Sequence, residues 1–313
     1  MGKNRFKDVV ITLGDPSGCG PEVVFRAIHS LADKEVNFWV VGDRYIAEQI
    51  PEYHKTRKRI FFLDNSTKNI KSIKRGSASK LSGQASLSYL NRSLELIKKE
   101  KFNCLVTAPV SKEAVCLAQP GFSGHTEFLR DYFKQQRVVM MMFSEKLKTV
   151  LLTRHLCLKD VSVAITKEVV LETIRLTYSF LKNQLNLNNP VVGFASLNPH
   201  AGIDTFLGNE EKIIKAAINQ SKENVYGPYP ADSLFIKGNL EKYDCIIASY
   251  HDQGMIPFKL LSFHSGINLT LGLPIIRTSP DHGVAYELVK NNSRAIFSSS
   301  MERAISQAII LSA

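Results

Sequence analysis

The sequence predicts an α/β fold built on a mainly parallel sheet, and three observations predict it. Short runs rich in β-branched residues alternate with longer amphipathic stretches throughout, as βαβ units do. A composition of 44% hydrophobic and 22% charged residues over 313 positions is ordinary globular material, enough for one large α/β unit or two domains around a cleft. No internal repeat or long linker interrupts the alternation.

Taken in order, strands are predicted over Val9–Leu13, Phe38–Val41, Ile60–Leu63, Cys104–Thr107, Val138–Phe143, Thr149–Thr153, Val191–Ala195, Asp244–Ser249 and Ile267–Leu271. Helices are predicted over Pro21–Leu31, Ala85–Lys101, Thr126–Phe133, Glu168–Leu185, Glu210–Ser221 and Glu302–Leu311. The small polar residues of Gly76–Gly83 predict a loop. Motifs are densest after about residue 120, so the two ends of the chain are expected to share a domain. That places residues 1–121 and 272–313 in the first domain and 122–271 in the second.

Several classes lose support early. No stretch approaches the roughly 20 apolar residues of a membrane span. The start, MGKNRFKDVVITLGD, runs from a basic head straight into a strand, and Phe6 stands where a myristoylation signal needs Ser or Thr. A cytoplasmic protein is expected. Cys19, Cys104, Cys116, Cys157 and Cys245 are scattered without a CxxC pair and read as reduced, mostly buried thiols. The net charge of +11 gathers in segments such as HKTRKR (54–59) and KNIKSIKR (68–75), which lack interleaved aromatics. A solvated basic face that helps attract a phosphorylated anion is the expectation, with no nucleic acid and no membrane partner.

Directly after the first strand comes GDPSGCGPE, with Pro21 suited to a first helical turn. Glycines permit close backbone approach and a helix start favours anions, but the spacing is not GxGxxG. The loop is either a tight structural turn or a ligand loop.

The strongest local signal lies elsewhere. Three apolar strands each deliver a histidine just past the C-terminal end: VLLTRH gives His155, VGFASLNPH gives His200, and CIIASYH gives His251. The carboxyl edge of a parallel sheet is where α/β proteins assemble their sites. Neutral imidazoles suit zinc or similar ions, and three protein ligands leave a position for substrate. A fourth protein ligand, often Cys, would mark a structural site; with none at suggestive spacing, a metal here would be catalytic.

His125 and Thr126, in GHTE, fall at a loop-to-helix junction where Thr126 either caps the helix or helps bind an anion. His282 lies in SPDHG, a turn before a helix, whereas His29, His54 and His264 have no identifiable partners. Between residues 227 and 283, Asp232, Asp252, Lys259, Asn268 and Arg277 fall near turns or strand ends. Arg277 and Lys259 suit a phosphate, the first through a forked hydrogen bond and the second as a point charge. Surface ion pairs are the alternative for each.

Together GDPSGCGPE, GHTEFL, LNPHAG, GPYPADSLF, YHDQGMIPFK and NLTLGLPIIRTSPDHG resemble, in order and spacing from about residue 8 to 290, the 4-hydroxythreonine-4-phosphate dehydrogenase family of vitamin B6 biosynthesis. The resemblance implies two α/β/α domains around a cleft, a non-Rossmann fold like that of isocitrate and isopropylmalate dehydrogenases. It implies that His155, His200 and His251 bind a divalent metal (zinc, magnesium or cobalt), within a homodimer whose site lies at the subunit interface in the second domain. His125, Thr126, Lys259, Asn268 and Arg277 match substrate-binding positions, and Asp232 and Asp252 match acidic residues lining the site. Gly14, Asp15, Thr278, Asp281 and His282 are the implied NAD or NADP contacts. Cys19 departs from the family's usual aliphatic residue, and Phe263-His264-Ser265 is a second peripheral departure.

The expected chemistry follows. A metal holding the substrate's secondary hydroxyl lowers its pKa, Asp252 or Lys259 takes the proton, and hydride passes to the nicotinamide. The β-keto acid then loses carbon dioxide to give 3-amino-2-oxopropyl phosphate. A sister dehydrogenase of erythronate or threonate 4-phosphate, a nucleic-acid binder and a non-catalytic metabolite sensor are the rivals.

Overall fold

The computed structural model describes residues 7–32, 35–202, 208–291 and 297–312. In chain order its strands are β1 (Lys7–Thr12), β2 (Val36–Gly42), β3 (Ile60–Asp64), β4 (Cys104–Thr107), β5 (Val139–Phe143), β6 (Lys148–Leu151), β7 (Val192–Ala195), β8 (Val225–Tyr229), β9 (Cys245–Ala248), β10 (Ile267–Leu271) and β11 (Ile276–Pro280). The chain forms two compact units, Met1–Phe133 with Leu273–Ala313, and Lys134–Gly272.

In the first unit the strand order is β3-β2-β1-β4-β11, with every neighbouring pair parallel. Val9, Val10 and Ile11 of β1 are fully buried, as expected where helices cover both faces of a parallel sheet. The helix Lys80–Glu100 starts five residues before its predicted Ala85 because Ser79 and Ser82 form a reciprocal capping box, so Gly76–Gly83 is only partly a loop. The segment 122–133, expected with the second domain, belongs to the first unit. Phe122 packs there against Leu87 and Val115, with Phe128 alongside.

In the second unit the order is β10-β5-β6-β9-β7-β8. β5 runs antiparallel to β10 and β6, while β6, β9, β7 and β8 are mutually parallel. Their carboxyl ends therefore share one edge. Two strands went unpredicted. β8 contains Gly227-Pro228, which reads as a turn, and it occupies a sheet edge, where proline is tolerated. β11 is polar in sequence yet buried, with Arg277, Thr278 and Ser279 all enclosed.

The helix His251–Ser262 also went unpredicted, since Gly254 and Pro257 sit inside it. Gly254 is required by packing: a Cβ there would lie 2.7 Å from Leu151 Cδ2 and 3.0 Å from the Ala248 Cβ. Its absence lets this helix lie directly on β6 and β9. Of the cysteines, Cys19, Cys104 and Cys245 are buried, Cys116 is half-buried and Cys157 is exposed; all are free thiols. Most of the basic segments 54–59 and 68–75 is exposed, although Arg75 pairs with Glu22 and donates to the Gly18 carbonyl. No helix among the described residues is long and apolar enough to cross a membrane.

Candidate active site

Three parallel strand ends in the second unit are tied to one another by side chains. Thr153 Oγ1, after β6, donates to the Ser249 carbonyl after β9 at 2.7 Å, and Ser249 Oγ donates to the Ala195 carbonyl of β7 at 2.8 Å. Gln253 completes the clamp. Its Oε1 accepts from the Ser249 N–H at 2.6 Å, and its Nε2 donates to the Ser196 carbonyl at 2.7 Å. The strands delivering His155, His200 and His251 are thus fixed at their carboxyl ends.

Two of those histidines come together. The rings of His155 and His251 have centroids 5.6 Å apart and planes inclined by 43°. With ligand bonds of about 2.0–2.1 Å, two imidazoles on one ion hold their ring centres roughly 5–6 Å apart, so this pair fits a shared metal. Asp252 Oδ1 lies 2.6 Å from His251 Nδ1, a carboxylate–imidazole pairing of the kind that orients metal-ligating rings.

His200 stands apart from this pair. It lies on the exposed turn Pro199–Gly202, and no group of three His, Cys, Asp or Glu side chains that could hold a metal is formed among the described residues. Of the three rings singled out in the sequence, the structure brings His155 and His251 together. Upstream, Asn198 anchors the turn: its N–H donates to Glu211 Oε1 at 2.8 Å and its side chain to Glu211 Oε2 at 2.9 Å. His155 and His200 both carry positive φ, 43° and 54°, a conformation that costs a non-glycine residue energy and concentrates at functional positions.

Each of the other candidates in this unit has its own surroundings. Asp232 is exposed and accepts from the Ser233 N–H at 2.9 Å. Lys259 Nζ lies 5.4 Å from the centre of the Phe263 ring. Asn268, on β10, has an enclosed Oδ1 without a hydrogen-bond partner.

In the first unit His125, Thr126 and Arg277 form a second group. Gly124 is the N-cap of the helix His125–Tyr132 and offers no side-chain cap, so the first-turn amides are available to an anion. Thr126 is therefore inside the helix rather than its cap. Arg277 is only 3% exposed and donates to Thr107 Oγ1 at 2.6 Å. Burial pushes its pKa down to about 10 against the opposing pull of Glu127, and it stays a cation at neutral pH. His125 Nε2 is enclosed without a hydrogen-bond partner. Burial first and the Arg277 charge second push its pKa well below the ordinary imidazole value, which keeps the ring neutral.

The residues nominated for the cofactor fare differently. Asp15 is fully buried: Oδ1 accepts from the Ser17 N–H and Oγ, and Oδ2 from the Tyr286 hydroxyl at 2.6 Å. Gly14, at φ 69°, lies so close to Pro109 that a Cβ would sit 2.3 Å from its carbonyl oxygen. Thr278 is buried and donates to the Ala304 carbonyl at 2.8 Å. All three are engaged within the fold, Asp15 and Thr278 through side-chain hydrogen bonds and Gly14 through close backbone packing. Asp281 and His282 lie at and beyond the end of β11, His282 being exposed with Nδ1 3.0 Å from the Gly283 carbonyl.

A family profile described as pyridoxal phosphate biosynthetic protein PdxA matches residues 22–308. The chain belongs to this family. It is 37% identical over 299 residues to a 4-hydroxythreonine-4-phosphate dehydrogenase of Desulforapulum autotrophicum, covering 89% of this chain and 88% of that one. A protein of Oceanobacillus iheyensis, provisionally named a D-threonate 4-phosphate dehydrogenase, is 35% identical over 96% of both chains. The crystal structure of a Klebsiella pneumoniae 4-hydroxythreonine-4-phosphate dehydrogenase superposes with a TM-score of 0.84 at 28% identity, covering 98% of this chain and all of that one. Isocitrate dehydrogenase of Methylococcus capsulatus, at 12% identity and a TM-score of 0.54 over 98% of this chain and 85% of that one, shares the fold. That accounts for a dehydrogenase-family chain without GxGxxG.

Proposed function

We propose that this PdxA-family protein oxidises 4-phosphooxy-L-threonine with NAD or NADP at a divalent metal, forming a β-keto acid that loses carbon dioxide to give 3-amino-2-oxopropyl phosphate. The observation that carries the reading is the facing of His155 and His251 at the carboxyl edge of their sheet in a chain of this family. His155, His251 and His200 would hold the ion, His200 being brought in from its turn. When bound, the ion supplies Lewis-acid polarisation of the substrate hydroxyl and of the ketone formed from it. A bound nicotinamide would supply the hydride acceptor.

The chain's own residues perform the remaining tasks. Arg277, with His125, Thr126 and the uncapped helix start, binds the substrate phosphate, while Asn268 supplies a further polar contact. Asp252 holds His251 Nδ1 and so orients that ring, a different task from the proton transfer expected of it. Lys259 takes the hydroxyl proton, with Asp232 the other acidic candidate near the edge.

A homodimer is supported by the helix His251–Ser262 and the residue after it, where Ile256, Leu260 and Phe263 fall at helical spacing and are 61%, 81% and 65% exposed. Such a face on the element that carries a site residue fits a subunit contact next to the site.

The relative from Oceanobacillus iheyensis favours one competing substrate, D-threonate 4-phosphate, which lacks the amine. Purified protein offered each phosphate with NAD or NADP, and followed by nicotinamide absorbance, separates the two. Preferential turnover of 4-phosphooxy-L-threonine is expected. Faster turnover of D-threonate 4-phosphate would assign the chain to the sister activity, and turnover of neither would overturn the reading.

A further inference from the structure

Beside the helix start at His125 stands a cation that no motif singled out. A Cβ placed on Gly124 would lie 3.3 Å from Glu127 Oε2 and 3.4 Å and 3.9 Å from Cε and Nζ of Lys112, so the ammonium and the Glu127 carboxylate flank the same point. Lys112 opens the helix Lys112–Ala118, whose start is fixed by Ser111, its Oγ accepting from the Ala114 N–H at 3.1 Å. The same helix is seated on Lys80–Glu100 at Gly83, where a Cβ would come within 1.9 Å of the Ala114 carbonyl oxygen. The lysine stem therefore springs from rigid scaffold. Lys112 itself is exposed, and among the described residues no hydrogen bond or ion pair engages it.

Charge balance gives that position a purpose. Within this group Arg277 is a cation, the nearby Glu127 carboxylate offsets it, and His125 is held neutral. A phosphate monoester brings a charge of about −1.5 to −2. The helix start contributes roughly half a positive charge, which leaves the site short of cation without another side chain.

We propose that Lys112 is a further specificity-determining residue of the site, the exposed cation that closes on the phosphate of the substrate while buried Arg277 fixes its orientation. This rests on reading the Arg277 group as the phosphate site. The division of labour follows from chemistry: a buried guanidinium offers a fixed fork, whereas an exposed ammonium on a flexible stem can attract and follow a doubly charged anion.

The test compares full-length wild type with Lys112→Gln and Lys112→Arg by two measurements. One is the steady-state kinetics of 4-phosphooxy-L-threonine oxidation across a salt series, and the other is the affinity for inorganic phosphate followed by phosphorus NMR. Lys112→Gln should raise KM and weaken phosphate binding by about ten- to a hundredfold, with kcat within about threefold of wild type. Its kcat/KM should also lose salt sensitivity, and Lys112→Arg should recover most of the affinity. Unchanged phosphate affinity and KM in Lys112→Gln, alongside a wild type that binds phosphate and turns over, would overturn the role of Lys112 alone. A wild type that binds no phosphate would overturn the phosphate site and this proposal with it.

Discussion

His155 and His251 face each other across a centroid distance of 5.6 Å because β6 and β9 are adjacent parallel strands whose ends are joined by the Thr153–Ser249 hydrogen bond. The pairing is a property of the sheet edge. Each ring follows a strand by a few residues, so the register Leu151 to Ala248 sets how near the rings can come.

Asp252, one of the two proton acceptors expected beside Lys259, lies 2.6 Å from His251 Nδ1. Asp252→Asn should weaken metal affinity about 10- to 100-fold. Metal titration of the depleted variant checks this. Wild-type metal affinity with a large loss of kcat would return Asp252 to the role of base.

The low pKa of His125 makes stability depend on pH. Its folded value lies below the unfolded value of about 6.5, so the stability of the neutral, half-buried ring is complete above that pH and is lost as pH falls toward the folded pKa. Urea unfolding at about pH 7 and about pH 5 should show wild type losing more stability than His125→Gln. Parallel losses would contradict the assignment.

Gly14 is held at φ 69° against the Pro109 carbonyl. Gly14→Ala should cost about 1–3 kcal/mol from backbone strain alone, before any clash, and lower the urea midpoint. If stability were unchanged and dinucleotide affinity reduced, the loop would be a ligand loop after all.

Leu260 is 81% exposed on the helix that begins at His251. Placing a carboxylate there by Leu260→Glu should weaken a dimer by about a hundredfold or more. Sedimentation velocity against wild type is the check, and an unshifted assembly would remove this face from the contact.

Much of this arrangement was legible because it is local. An apolar run followed within a few residues by a histidine needs no distant information, and that pattern located all three strand ends. β8 and the helix His251–Ser262 were missed because Pro228, Gly254 and Pro257 read as breaks, whereas the edge position and the close helix–strand contact that tolerate them are tertiary facts. The Gln253 clamp was equally hidden, since its partner Ser196 lies 57 residues away.

Asp15 shows how a long-range partner is hidden from the sequence. An acid in a glycine-rich turn resembles a ligand contact, but the Tyr286 hydroxyl that occupies its second oxygen lies 271 residues further along the chain. His200 illustrates a third case. Its place after a strand was readable, while the turn that holds it away from the other two rings depends on Asn198 and Glu211.

The most direct test of the metal assignment is cobalt(II) titration of metal-depleted protein, followed by visible absorbance and by recovery of nicotinamide reduction. One equivalent per chain should bind with an imidazole-ligand spectrum and restore turnover, and His155→Ala, His200→Ala and His251→Ala should each abolish both. Undiminished nicotinamide reduction by the metal-free protein would contradict the account.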